Sequence, residues 1–263
     1  MPGWCTAAAL HAGAPEVEYF CGGVNTKLPS HAGLWREGNF LHFGFEPSPA
    51  ELNEAGQAML VNSIVYISRF TEDRPIGWYR SPFLPGARSA LRGSAAKYLG
   101  EDGVELEWGL DMIAPPLKEA LAKKNAAERK AWFAEQRPFL HAGTDGRLEV
   151  DVDAKALGIG YDDPKFLAKL AEDLASADAE AAARAQRLLG RYVGIEGPDG
   201  HTMAATVTPG WLKENAPYLF FSEVCGPRWL VDPLAKARAV PTSELRGPKR
   251  ADAPKSAPAE RQR

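Results

Sequence analysis

The stretch Gly38-Asn39-Phe40-Leu41-His42-Phe43-Gly44-Phe45-Glu46-Pro47-Ser48-Pro49-Ala50-Glu51 constrains the fold more than any other part of the chain. Phe40 to Phe45 is nearly continuous in apolar and aromatic character, the pattern of a strand covered on both faces in a parallel sheet flanked by helices. Ser48 has the chemistry of an N-cap, Pro49 falls at the first helical position where its missing N–H costs nothing, and Glu51 completes a capping box. The expectation is a strand, a sharp turn and a helix start. Leu52, Ala55, Met59, Leu60, Ser63, Ile64, Ile67 and Phe70 follow at helical spacing, with Asn53, Glu54, Gln57 and Arg69 left for solvent. That spacing predicts a helix that lays its apolar face on the sheet.

With 263 residues, 45% of them apolar, the chain can bury an ordinary core in one large domain or two smaller ones. The formal charge of -3, from 31 basic and 34 acidic residues, gives no field for nucleic acid. The start, Met1-Pro2-Gly3-Trp4-Cys5 followed by a short alanine patch broken by His11 and Gly13, lacks the charged and apolar regions of a signal peptide, which makes the cytoplasm the default expectation. Met59 to Ile67 is interrupted by Asn62 and Ser63 and is far short of the roughly 20 apolar residues a membrane span needs. Neither nucleic acid nor a membrane is expected as a partner. Cys5, Cys21 and Cys225 are odd in number and show no Cys-x-x-Cys spacing, so buried free thiols are expected, with a Cys5–Cys21 pairing open in an oxidising compartment.

Val17 to Gly23 reads as a short strand and Asn25 to Leu34 as a loop leading to Trp35-Arg36-Glu37-Gly38. Residues 1–75 are expected to form an α/β strand-helix unit, a flavodoxin-like fragment, and residues 76–160 a linker, helices and a hairpin. A helical module with short extended strands is expected over 161–246, and a disordered tail over 247–263, where Pro, Ala, Lys, Arg and Glu run without periodicity. Within these, Ala87 to Leu99 reads as a helix, Val104 to Trp108 as a brief strand, and Pro116 to Gln136 as one long helix. Phe139 to His141 and Arg147 to Asp153 flank Thr144-Asp145-Gly146, a hairpin signal, which predicts a small β-ribbon in an otherwise mostly α module. Asp163-Pro164 and Asp178 open helices to about Leu174 and Tyr192, Thr208-Pro209 opens a short one, and Leu219-Phe220-Phe221 and Arg228-Trp229-Leu230-Val231 read as extended pieces. The chain reads as free of internal repeats.

The segment from about residue 16 to 74 resembles the C-terminal edge of class I glutamine-amidotransferase-like domains, including the ThuA-like branch associated with trehalose utilisation. In active members of that family the strand ends in a Phe-His-Pro-Glu type motif whose His and Glu complete a triad with a cysteine on a nucleophile elbow. Here His42-Phe43-Gly44-Phe45-Glu46-Pro47 puts Gly44 or Phe45 at the place of the histidine. Neither Gly3-Trp4-Cys5-Thr6-Ala7 nor Phe20-Cys21-Gly22-Gly23 has the Gly-x-Cys-x-Gly setting of an elbow. The resemblance therefore implies an inherited scaffold without its chemistry, and a sheet completed by a second copy or by an upstream or partner domain. Leu188-Leu189-Gly190-Arg191-Tyr192, Tyr218 to Glu223, Arg228 to Ala235 and Pro241 to Pro248 resemble C-terminal regions of planctomycete-type bacterial proteins, and that likeness implies a shared module without a mechanism.

The candidate ligand-binding set is His42 and Glu46 with Trp35, Arg36 and Asn25; a lone histidine in an apolar strand is more often a hydrogen-bonded core residue than a base. Glu149, Asp151 and Asp153 alternate along the expected strand and would share one face, a weak candidate for Ca²⁺ or Mg²⁺ without the Asp-x-Asp-x-Asp-Gly order of a calcium loop. Glu105 and Glu107, beside Trp108, would share another strand face, a poor arrangement for a glycosidase pair. Gly22, Gly23 and Gly38 form no phosphate loop, and no cofactor is expected. The expectation is a non-catalytic structural or interaction protein, with a carbohydrate-related enzyme or sugar-binding protein as the alternative, favoured by tryptophans that serve as core anchors or as sugar platforms.

Overall fold

A computed structural model describes residues 3–7, 14–23, 31–76, 91–143, 145–193, 195–196, 202–203, 207–223 and 227–245. Asn25, Trp78, Tyr79, Thr144, Cys225 and the tail beyond Leu245 lie outside these residues. The described elements are helices and small antiparallel sheets, and no helix among them is long and apolar enough to cross a membrane.

The N-terminal unit corrects the expectation of a parallel, flavodoxin-like sheet. β1 (Thr6–Ala7), β2 (Val17–Gly23), β3 (His31–Glu37) and β4 (Phe40–Phe43) form an antiparallel sheet in which β3 pairs with all the others. Phe40 to Phe43 is the second strand of a hairpin and is half-buried or exposed, so its apolar run marks aromatic packing and not burial on two faces. The hairpin turns at Gly38, which has φ 57° and where a Cβ would lie 2.4 Å from the backbone of Arg74 and Pro75. Only glycine meets both demands. Ser48 and Glu51 do bond to each other, Ser48 N–H to Glu51 Oε2 at 2.9 Å, but they close a turn. The helix α1 (Glu54–Ile67) starts later, because the Asn53 side chain accepts the Gly56 N–H and takes the N-cap.

From Leu91 onward the described residues run through one order of elements twice. In the first copy α2 (Leu91–Tyr98) and α3 (Val104–Asp111) form a helix pair, followed by α4 (Pro115–Ala122) and α5 (Ala126–Gln136). A 3-10 turn (Arg137–Phe139), β5 (Leu140–Ala142), β6 (Leu148–Val150) and α6 (Val152–Leu157) complete it. In the second copy α7 (Pro164–Leu174) and α8 (Ala179–Tyr192) form the pair, followed by a small ribbon of β7 (Ile195–Glu196) and β8 (Thr202–Met203). Then come α9 (Pro209–Asn215), a 3-10 turn (Ala216–Tyr218), β9 (Leu219–Ser222), β10 (Arg228–Val231) and α10 (Pro233–Arg238). A terminal α11 spans Thr242–Leu245.

The correspondence extends to single bonds. Asp151 donates its N–H to the Phe139 carbonyl and Asp232 donates to that of Tyr218, each at 2.8 Å. Each aspartate then caps the next helix, accepting from Asp153 and Ala154 or from Leu234 and Ala235. Lys155 Nζ reaches back to Gln136 Oε1 and Lys236 Nζ to Asn215 Oδ1, both at 2.7 Å. Isolated parallel bridges join Ile113 to Leu148 and Val193 to Trp229. The expectation of no repeat is thus overturned: Val150-Asp151-Val152-Asp153-Ala154-Lys155-Ala156 and Val231-Asp232-Pro233-Leu234-Ala235-Lys236-Ala237 are the sequence trace of the duplication. Strands of three residues in one copy and four in the other shift the spacing between shared residues and hide it.

Two further expectations change. Val104 to Trp108 is helical, and Pro116 to Gln136 is two helices, because Asn125 forms a capping box with Glu128 and restarts the helix. Two apolar cores form, one around Leu99, Ile113, Leu140 and Leu148, the other around Phe166, Leu188, Tyr192 and Trp229, and Ala154, Leu157 and Phe139 of the first copy pack into the second core. Ile76 packs with Phe220 and Leu230 and ties the N-terminal unit to the second copy.

Helices α6 and α10 both end on a left-handed residue, Gly158 at φ 72° and Ala239 at φ 53°. The left-handed conformation costs a residue with a Cβ about 1 kcal/mol. Ala239→Gly is expected to stabilise the protein by about 0.5–1 kcal/mol and Gly158→Ala to destabilise it by a similar amount in urea unfolding.

Candidate functional site

The residues singled out near the hairpin do not converge on a reaction centre. His42 on β4 sits opposite Trp35, with ring centroids 6.1 Å apart, and its Nε2 lies 3.1 Å from the Trp4 carbonyl. Gly44 accepts the Trp4 N–H at 2.7 Å and donates its own N–H to the Gly33 carbonyl at 2.8 Å. A Cβ at Gly44 would fall 2.0 Å from the Trp4 carbonyl oxygen and 2.6 Å from that of Gly33. No imidazole fits there. Glu46 is exposed just beyond.

Arg36 is 3% exposed and works as a clamp. Its Nε donates to Glu18 at 2.7 Å, one terminal nitrogen donates to the Gly38 carbonyl at 2.6 Å and to Asp73 at 3.0 Å, and the guanidinium lies 3.8 Å from the Phe70 ring centroid. Tyr66 of α1 donates its hydroxyl to the same Glu18 oxygen at 2.8 Å. Strand, turn, helix and the segment after the helix meet on this one cation. Its donors are committed within the chain, which leaves little for an external anion. Trp35 is half-buried between Tyr19 and His42.

The Cys21 thiol has the wrong environment for a nucleophile. Cys5 and Cys21 are both free and half-buried. Burial pushes the Cys21 thiol above its ordinary range despite a backbone hydrogen bond from Leu34, whereas a reactive cysteine needs the opposite shift. Gly23 has no room for a side chain because the Cys5 Cβ stands 2.8 Å from where its Cβ would be.

The weak metal candidates end in arginine contacts. The strand β6 stops at Val150, so Glu149, Asp151 and Asp153 do not alternate on one face as expected. Glu149 lies 3.2 Å from His141 Nε2. Asp151 is 1% exposed, caps α6, pairs with Arg191 and accepts the Tyr192 hydroxyl at 2.7 Å. Burial opposes its charge, but the bonds from Arg191, Tyr192 and the Ala154 N–H outweigh it and hold the carboxyl below the usual range. Asp153 receives two bonds from Arg187, at 2.9 and 2.7 Å. His141 is pushed below its ordinary pKa by burial and then by Arg191, against the pull of Asp151 and Glu149. Among the described residues no group of three or more His, Cys, Asp or Glu is placed to hold a metal ion. Glu105 and Glu107 lie in the first turn of α3, where their charges favour the helix N-terminus and present no paired strand face.

A charge cluster that sequence reading missed joins the two copies. Arg92 of α2, 2% exposed, pairs with Glu223 at the end of β9, lies 3.7 Å from Asp162, and sits 4.9 Å from the Tyr161 ring centroid. Arg137 approaches the same two acids at 3.5 and 3.8 Å. The partners are far apart in the chain, so no local pattern marks them. The chain matches no protein-family model, no curated protein and no solved structure.

Two stability measurements follow from these charges. Glu37 has its pKa raised from 4.5 to about 7, by burial first and then by the charge of Glu16. A carboxyl raised in the folded state contributes stability below pH 4.5 that disappears as pH climbs through about 7. Glu37→Gln is therefore expected to flatten the fall in stability as pH rises from 4.5 through about 7 in pH-dependent urea unfolding. Asp232→Ala removes the cap of α10 and a fully buried carboxylate, and is expected to cost at least about 1–2 kcal/mol. Asp151→Ala also strands Arg191 and Tyr192 and is expected to cost about 3–5 kcal/mol at pH 7, with the gap closing in acid as the native carboxylate protonates.

Proposed function

We propose that the protein is a non-catalytic structural or interaction protein, in which a small antiparallel sheet and one helix are joined to a repeated helix-hairpin-helix module. The observation that carries this reading concerns the two positions where the family resemblance calls for a base: Gly44 has no space for a side chain, and Phe45 carries a phenyl ring packed edge-on against Phe43. Two others support it. The Cys21 thiol is held in its neutral form by burial, and Arg36, Asp151 and Arg92 are engaged by groups of the same chain. Groups arranged this way contribute to the shape and rigidity of a surface; catalysis would need them aimed at an open space.

Carbohydrate binding is the second reading, favoured by exposed indoles. Trp4 is 78% exposed, and Trp108 is 51% exposed with Tyr98 packed edge-on at 5.7 Å. Such rings offer apolar faces to a sugar.

Glutaminase and esterase assays of the purified chain are expected to show no turnover above background. Turnover that disappears in Cys21→Ala would overturn the non-catalytic reading. A thermal-shift panel of sugars, with and without Ca²⁺, is expected to leave Tm unchanged. A true ligand at about 100 times its Kd would add about 2.7 kcal/mol and select the sugar-binding reading instead.

A further inference from the structure

The helix α1 is inside out. From Ala55 through Ser68 it contains no Asp, Glu, Lys, Arg or His. Its buried residues are the small ones, Gly56 and Ser63, while Val61, Ile64 and Val65 are 58%, 59% and 62% exposed. Ile64, which the helical spacing assigns to the inner face, thus lies on the outer one. With Gln57, Ala58 and Ser68, also exposed, these side chains recur at intervals of three and four residues and form one uncharged stripe along the outer side of the helix. A solvated helix face normally carries charge, and a contiguous apolar stripe marks a surface that another body covers.

The ends of the stripe indicate which body. Glu54 opens α1 and Arg69 stands just past its end, both exposed, so the face is acidic at one end, apolar in the middle and basic at the other. This pattern is complementary to itself when reversed. An antiparallel pair centred on Val61 sets Ala58 against Ile64 and Val65 of the partner subunit, small against large, and Glu54 against Arg69 of the partner subunit. The two helix dipoles then oppose each other favourably. A parallel pair would set like charges together at both ends, which costs stability. A twofold axis makes the same patch serve both subunits, as isologous dimers require.

We infer that α1 is the contact of a homodimer, packed antiparallel on α1 of a second copy of this chain through Ala58, Val61, Ile64 and Val65. The inference rests on the interaction reading above and names its partner. Turnover by an intact dimer would refute that reading and leave the pairing, while a monomer without turnover refutes the pairing and leaves the reading.

Light scattering and sedimentation equilibrium of the whole chain at about 50 μM, a concentration well above the Kd of an ordinary micromolar dimer, test it. The wild-type chain is expected to show twice the monomer mass. Val61→Glu is expected to give monomer with unchanged far-UV helicity, since Val61 makes no buried contact whose loss would unfold the chain. Glu54→Arg is expected to raise the dimer Kd about tenfold, and adding Arg69→Glu to return it toward the wild-type value, a cycle that a parallel or unrelated contact would not produce. A wild-type monomer at that concentration, or a dimer that Val61→Glu leaves intact, overturns the proposal. Failure of the second charge reversal to rescue the first also overturns it. A monomer would return the stripe to an unlike partner or to a covering domain.

Discussion

The aspartate at each strand-to-helix junction is the interaction on which the C-terminal two thirds of the molecule depends. Asp151 and Asp232 each bind backwards through their N–H, to the last residue of the 3-10 turn, and forwards through their carboxylate, to the first turn of the next helix. One residue thereby sets the end of the hairpin and the start of the helix. The lysine four residues later then bonds to the amide side chain at the end of the helix before the hairpin, which holds the flanking helices in one relation in both copies. Charge-assisted bonds of this kind are short and directional, so they define geometry as well as adding stability.

The copies have diverged around that shared frame. In the first, Asp151 also takes Arg191 and Tyr192 from α8, so the cap of one copy is fastened to a helix of the other. Arg92 and Glu223 fasten the copies in the reverse direction. In the second, Asp232 is 0% exposed and its hairpin carries Trp229, whose indole N–H donates to the Tyr161 carbonyl at 2.7 Å. The two copies are therefore joined by polar contacts as well as by the apolar core they share, and a lost partner at a buried contact is costly. At the N-terminal unit Arg36 plays the same uniting part, binding Glu18 of the neighbouring strand β2, Gly38 of the turn and Asp73 beyond α1.

Much of the local structure was legible. Asp163-Pro164, Asp178 and Thr208-Pro209 open helices as their cap chemistry requires, and Asp145-Gly146 closes the hairpin of β5 and β6. The misreadings arose where two local signals competed. Ser48 and Asn53 both offer caps, and the one that precedes the uninterrupted helical run wins. Val104 to Trp108 alternates like a strand but packs as a helix against α2, since tertiary contact overrides so short a pattern. Of the candidate site, the missing histidine was legible, while the reason for it was not, because the Trp4 and Gly33 carbonyls that exclude a side chain at Gly44 come from segments distant in the chain.

What the chain determined by itself lies within a few residues of each signal: caps, turns, helix starts, and the absence of an elbow around either N-terminal cysteine. Tertiary structure alone decided that the first sheet is antiparallel, that the charged candidates are tied to one another, and that α1 turns its valines and Ile64 outward. The physical reason is range. A cap is satisfied by its own neighbours three or four residues away, whereas which face is covered, and which charge finds a counter-charge, depends on groups that only the folded chain brings together.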